Sequence, residues 1–275
     1  MALAKVKADL TEARLAGLSI PDDNLPARQD ALARLGAMGL PTRRDEYWKY
    51  TDPASLTAPD AVPAAVFVND EDALFADRDR VKIVFVDGIY DADQSDDLTA
   101  EGVEIALLAD ALSADIHWAH DLYGTLEARG QVPVERPLAA MNTAFAGQGV
   151  VIRATAMATK PINLIYLHEN QQSDALLHNL VKVDAGAQVT LLETGPAAAR
   201  FNQVLEVDVA DGGTFHHVRA QGRDHERQAV THIFAHIGAS ATFKSFTMTA
   251  NGRLTRNECI LEITGDDAVA HVAGV

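Results

Sequence analysis

Phe201-Asn-Gln-Val-Leu-Glu-Val-Asp-Val209 and Thr231-His-Ile-Phe-Ala-His-Ile237 decide how this chain folds. In the first run Phe201, Leu205, Val207 and Val209 share one face, while Asn202, Glu206 and Asp208 take the other. That is the period-2 signature of a half-buried strand. Such runs recur, divided by turns near Lys160-Pro161, Asp184-Ala185-Gly186, Asp211-Gly212-Gly213, Ile237-Gly238-Ala239 and Thr264-Gly265-Asp266. Counting from 160 to 186, 213, 238 and 265 gives steps of 26, 27, 25 and 27 residues. A fixed step in this range marks a repeat architecture. No helical pattern interrupts Val150 to Val275. Strands repeating without helices predict a mainly β chain, a parallel β-helix of about five rungs.

The N-terminal side reads differently. Leu3, Val6, Leu10 and Ala13 fall at helical spacing, with Gly17 as a stop. Asn24 and Pro26 start a second helix carrying Leu32, Leu35 and Met38, and Gly39 closes it. Pro53, Pro59 and Pro63 mark an irregular stretch that reads as a linker. Val81 to Val86 is a short apolar strand ending at Asp87-Gly88, and Val103 to Leu108 a second. Ser113 to Arg129 reads as one helix, ended by Pro133 and Pro137. The expected organisation is a helical region (1–60), a mixed α/β segment (61–137) and the β-helix (138–275).

The net charge of −16 argues against nucleic acid and against an anionic membrane surface as partners. Hydrophobic content of 48% suits a globular protein, but no apolar run is long enough to span a bilayer. The first residues lack a signal-peptide layout, and the single cysteine, Cys259, suits a reducing compartment, so the expected location is the cytoplasm.

The segment Pro41-Thr-Arg-Arg-Asp-Glu-Tyr-Trp-Lys-Tyr-Thr51 resembles an N-terminal element of the SufB/SufD family, above all its SufD type. These are scaffold proteins of the SUF iron–sulfur cluster assembly system. Val84-Phe-Val-Asp-Gly88, Pro137-Leu-Ala-Ala-Met-Asn-Thr-Ala144, Phe215-His-His-Val-Arg-Ala-Gln221 and Leu254-Thr-Arg256 agree with the same family. The resemblance implies a right-handed parallel β-helix behind a small helical domain. It implies a non-enzymatic scaffold whose partners are SufB and the ATPase SufC. An iron–sulfur cluster and ATP are implied only for the family complex, with no cofactor held by this chain alone. Family members are longer, so the chain is expected to lack the family's C-terminal part, and no cluster-site residue is carried onto it. A last rung left uncapped, with Ile260 and Ile263 near an open edge, is expected to self-associate through the C-terminal rungs.

Residue by residue, the candidate sites weigh against chemistry. Cys259 shares a strand face with Leu261 and Ile263, opposite Glu258 and Glu262, which favours core packing over cluster ligation. His232 and His236 lie about 13 Å apart on a strand at roughly 3.3 Å per residue and cannot share a metal. His216 and His217 point to opposite faces. His117 and His120, with Asp121, sit at helical spacing but lack a third ligand, so a surface pair is favoured. The acidic run Asp91 to Asp97 fails as a calcium loop, with Asp96 at position six and Gly102 at position twelve. Arg43, Arg44, Glu46, Trp48 and Lys49 form a candidate partner-recognition element, set against a packing role for Tyr47, Trp48 and Tyr50. No nucleophile elbow, Walker A loop or dinucleotide fingerprint occurs, so no catalytic residue is assigned. The rival reading is a carbohydrate-active β-helix enzyme using Glu206 and Asp208; a third is a free-standing structural β-helix protein.

Overall fold

Each coil of the chain after Val150 lays one strand into each of two facing sheets. A computed structural model describes residues 2–67 and 74–275; Val68 to Ala73, within the expected mixed segment, lie outside the described residues. Helices α1 (Ala2–Leu15) and α2 (Pro26–Met38) lead to a 3-10 turn at Glu46–Trp48 and α3 (Ala54–Thr57). Strands β1 (Val81–Val86), β2 (Ile89–Asp91), β3 (Thr99–Ala100) and β4 (Val103–Leu107) follow. Then come α4 (Leu108–Ser113), α5 (Ala119–Leu122), α6 (Thr125–Arg129) and α7 (Pro137–Phe145). The coils are built from β5 (Val150–Ala154), β6 (Ile162–Leu167), β7 (Asp174–Val183), β8 (Gln188–Thr194) and β9 (Arg200–Val209). They continue through β10 (Thr214–Gly222), β11 (Gln228–Ile237), β12 (Thr242–Ala250), β13 (Leu254–Ile263) and β14 (Val269–Gly274).

One sheet runs β14-β12-β10-β8-β6-β1-β2 and the other β13-β11-β9-β7-β5-β4-β3. From β5 onward every pairing within them is parallel. Paired residues such as Asp174↔Arg200, Arg200↔Gln228 and Gln228↔Leu254 lie 26, 28 and 26 residues apart, matching the step read from the turns. The chain is therefore mainly β, a parallel β-solenoid of about five turns behind a small helical region. The sheets also reach back into the mixed segment, where β1 pairs parallel with β6 and β4 antiparallel with β5.

Between the sheets, Ile83, Phe85, Leu164, Val189, Leu191, Leu205, Val207, Phe215, Ile233 and Phe243 form one apolar core. Phe215 and Phe243 stack coil on coil with ring centroids 5.5 Å apart. At one corner of each coil the backbone turns through positive φ at Gly186, Gly212, Ser240 and Asp267. Backbone bonds join these turns between coils: Gly186 N–H to Asp211 O, Gly212 N–H to Ala239 O, Ser240 N–H to Asp266 O. In the last two coils the glycines of the turn serve a different need. A Cβ at Gly265 would lie 2.1 Å from Ala239 N, and one at Gly238 2.6 Å from Asp211 Oδ1, so close stacking excludes a side chain there.

The helix α2 begins at Pro26 and closes on Gly39, whose N–H bonds Leu35 O at φ 64°, as the start and stop residues predicted. Three expectations fail. The single helix from Ser113 to Arg129 is broken into α5 and α6 by Gly124, which turns at φ 71°. The proline-rich stretch is a strap: Arg200 Nη1 and Nη2 donate to the carbonyls of Ser55, Ala58, Pro59 and Asp60. Ala64 N–H bonds Gln171 O, fixing it to the solenoid corner. And β9 is buried on both faces: Asn202, Val204 and Glu206 point outward yet lie under the helical region.

Candidate functional site

Strand parity sends Phe215, His217, Arg219 and Gln221 inward on β10, and Val189, Leu191 and Glu193 inward on β8. The apolar lumen thus gives way, further along each strand, to a buried polar cluster. Glu193 is its centre. Its carboxylate accepts from Tyr166 Oη at 2.7 Å, His217 Nε2 at 2.7 Å, Arg219 Nε at 2.7 Å and Gln203 Nε2. Arg219 donates onward to Thr231 Oγ1 and Gln203 Oε1, each at 2.7 Å. His217 Nδ1 lies 2.8 Å from Ser245 Oγ, which donates to it, leaving the proton on Nε2. Thr231 and Gln221 continue the chain to Asn257 Oδ1 at 2.7 and 2.8 Å. Burial pushes the Glu193 carboxyl upward, but the Arg219 charge and the His217 bond outweigh it and hold it well below the usual range. Burial lowers His217, which is therefore neutral. Every charge here is compensated, so the arrangement is a locked support, with no free base or nucleophile.

A second network joins the helical region to the outer face of the β5–β13 sheet. Glu206 accepts from Gly124 N–H at 2.6 Å, Glu127 N–H at 2.8 Å and His178 Nε2 at 2.9 Å. Beside it, Arg28 donates to Tyr123 Oη at 2.7 Å and pairs with Asp23 at 2.8 Å. The carboxylate pair of the carbohydrate-enzyme reading is thereby spoken for: Glu206 is sealed, and Asp208 binds His236 Nδ1 at 2.8 Å.

The Arg43–Lys49 element divides into a clamped base and a displayed rim. Asp45 pairs with Lys7 at 2.7 Å and accepts from Thr42 N–H at 2.6 Å. Trp48 is buried, with the Arg256 guanidinium 4.2 Å from its ring and 4.6 Å from the ring of Tyr47. Glu258 braces Arg256 at 2.6 Å and Arg136 at 2.8 Å. Arg43, Arg44, Glu46 and Lys49 are exposed, and Tyr50 is 91% exposed. Trp48 packs the element onto β13 as the packing expectation had it, whereas Tyr50, expected to pack, faces outward with the charged side chains.

The remaining candidates are placed as follows. Cys259 points inward, packs against the apolar core, and burial pushes its thiol up to about 11. His232 is fully buried under the helical region, and burial pulls it down to about 4. His236 sits between Asp208 and Thr264 on the sheet's rim. His216 faces out and His217 in. His117 Nδ1 accepts Ala119 N–H at 3.1 Å and His120 Nε2 donates to Leu112 O at 3.2 Å. Among the described residues no group of three or more His, Cys, Asp or Glu could hold a metal ion. No described helix is long and apolar enough to cross a membrane. Sequence reading missed Glu193, Arg219, Tyr166 and Gln203. The signal was there in parity, since each lies an even number of residues from an apolar neighbour on its own strand.

Residues 24–164 match the SufBD protein N-terminal region, and residues 166–275 match the SufBD core domain of SUF system FeS cluster assembly. The iron–sulfur cluster assembly protein SufD of Escherichia coli (strain K12) is 27% identical over 276 residues, covering 90% of this chain. The chain spans 58% of the length of that relative.

Proposed function

The chain belongs to the SufBD family as a SufD-type protein, and from that premise we propose that it is a non-catalytic scaffold of iron–sulfur cluster assembly. In this reading it works in the cytoplasm beside SufB and the ATPase SufC, and binds no cofactor of its own. The observation that carries the reading is the family match across both halves, laid over a solenoid in which the buried Glu193 is paired with Arg219 and His217. A stack of parallel strands offers long faces and edges to another subunit, as solenoids generally do. We further propose two contact surfaces. One is the rim of Arg43, Arg44, Glu46 and Lys49 around Trp48, whose exposed cations and tyrosines suit an acidic partner. The other is the edge formed by β13 and β14, where Ile263, Val269 and Val272 are exposed and self-association would cover them.

The test is co-purification. The tagged chain, co-expressed with SufB and SufC, is expected to retain SufB and to show ATP hydrolysis only when SufC is present. Arg43→Glu/Arg44→Glu/Lys49→Glu is expected to lower SufB recovery while leaving the unfolding midpoint unchanged. A chain that elutes alone beside abundant SufB, or that cleaves polysaccharide, sinks the scaffold reading.

A further inference from the structure

Where α5 and α6 end over the outer face of the β5–β13 sheet, they leave a cavity of about 260 Å³. Strand register builds its floor. One outward position on each strand lines up across the sheet as Arg153, Lys182, Asp208, His236 and Glu262. Two residues earlier on their strands, Leu180, Glu206 and Phe234 are fully buried beneath the helices. Lys182, Asp208 and His236 are half-buried, at the margin of that cover. The wall is formed by Trp118, Asp121, Leu122 and Leu126. Leu122 and Leu126 belong to the apolar cluster under the helices, and Trp118 packs against it. This side of the cavity is therefore apolar, apart from the exposed Asp121.

The charges around the cavity are not equally engaged. Asp208 bonds His236 Nδ1 at 2.8 Å, and His236 Nε2 reaches Thr264 Oγ1 at 2.8 Å. Arg129, on the rim, pairs with Glu262 at 3.2 Å. Arg153, at the far end of the row, pairs with Asp184 at 2.9 Å. That leaves Lys182 on the floor and Asp121 on the wall. Their side chains form no ion pair or hydrogen bond among the described residues, with each other or with any neighbour. Opposite charges that line one cavity without meeting are held apart by the strand and the helix that carry them. A molecule with a carboxylate for Lys182, an ammonium group for Asp121 and an apolar body for Trp118 and Leu126 satisfies all of these at once. Beside an apolar wall such contacts count for more than on open surface, because less water screens them.

We propose that this cavity is a binding site for a small zwitterion of the α-amino acid class with an apolar side chain. Lys182 Nζ holds the carboxylate, Asp121 holds the ammonium group, and the side chain lies along Trp118. The volume is at the small end of ligand sites, which suits one amino acid and is too small for a nucleotide or an oligosaccharide. The site does not depend on the scaffold reading.

The experiment titrates the full chain with L-leucine in low-salt buffer at neutral pH, read by ligand-observed nuclear magnetic resonance. Two analogues with the same carbon skeleton run beside it: 4-methylpentanoate, which lacks the ammonium group, and leucinol, which lacks the carboxylate. Wild type is expected to bind L-leucine in the millimolar range or tighter, and each analogue about tenfold more weakly. Lys182→Met is expected to lose about tenfold for L-leucine and 4-methylpentanoate while leaving leucinol unchanged. Asp121→Asn is expected to lose about tenfold for L-leucine and leucinol while leaving 4-methylpentanoate unchanged. Neither side chain is in the buried core, so both variants are expected to keep the wild-type unfolding midpoint. No binding of L-leucine to wild type in the millimolar range, equal affinity for all three compounds, or variants that weaken all three alike overturns the assignment.

Discussion

Arg219→Met removes the one full positive charge facing Glu193 and leaves the carboxylate sealed inside the solenoid. The wild-type pair is tight, with Nη2 at 2.5 Å and Nε at 2.7 Å from Oε2. Glu193 and its other partners are themselves buried, so the carboxylate is left without a counter-charge. Breaking one side of a buried ion pair costs about 3–5 kcal/mol. For a chain of this size each kcal/mol moves the thermal midpoint by about 2–4 °C, so the expected drop is about 6–20 °C. Urea unfolding at neutral pH measures the loss directly, with the denaturant slope unchanged because the solenoid still forms. Adding Glu193→Gln to Arg219→Met removes the stranded charge and is expected to restore at least about 1 kcal/mol, a coupling that the double-mutant cycle isolates. The pH response separates the mechanisms. In wild type the depressed Glu193 value means its stabilisation is present above the ordinary carboxylate range and is lost progressively as pH falls below that range toward the folded value. In Arg219→Met the folded value rises above the unfolded one, so stability is expected to increase on lowering pH from about 8 to about 5. A cost below about 1 kcal/mol, or a double variant no better than the single, would refute the view of this cluster as a charge-compensated lock.

His232 gives an opposite window: because burial holds it at about 4, the folded state takes up its proton later than the unfolded one, and stability is lost as pH falls from about 6.5. The loss is expected to reach about 3 kcal/mol at the low end, and His232→Phe flattens it in urea titrations at each pH. Gly265→Ala is expected to lower the unfolding midpoint, since its Cβ meets backbone at 2.1 Å. Ser240→Gly, at φ 54°, is expected to be neutral or to raise it by relieving left-handed backbone strain; a large loss there would show that the serine side chain itself holds the turn. Cys259 is expected to react with iodoacetamide at pH 8 on the order of a hundredfold more slowly than a free thiol, since the thiolate fraction is depressed; rapid labelling in the folded chain would place the thiol at the surface.

What the sequence determined by itself is the periodic part. Alternation along Phe201 to Val209 and turns stepping by about 26 residues specify stacked strands, because a period of two fixes which side chains share a face and a constant step fixes which strands are neighbours. Pro26 and Gly39 bound α2 because their effects are local to the backbone. By the same parity Cys259 faces inward. The tertiary structure decided what lies against each face. Glu206 reads as a solvated residue until the N–H groups of Gly124 and Glu127 close over it from 82 and 79 residues away. Glu193, His217, Gln203 and Thr231 are scattered over four strands, and only the register of β8, β10, β9 and β11 brings them to one point. Even the glycine signals changed meaning: Ser240 and Asp267 take the positive-φ positions, while Gly238 and Gly265 are small because the preceding coil presses on them. Local chemistry writes the repeat, and stacking at distances of many residues along the chain decides which of its polar side chains meet.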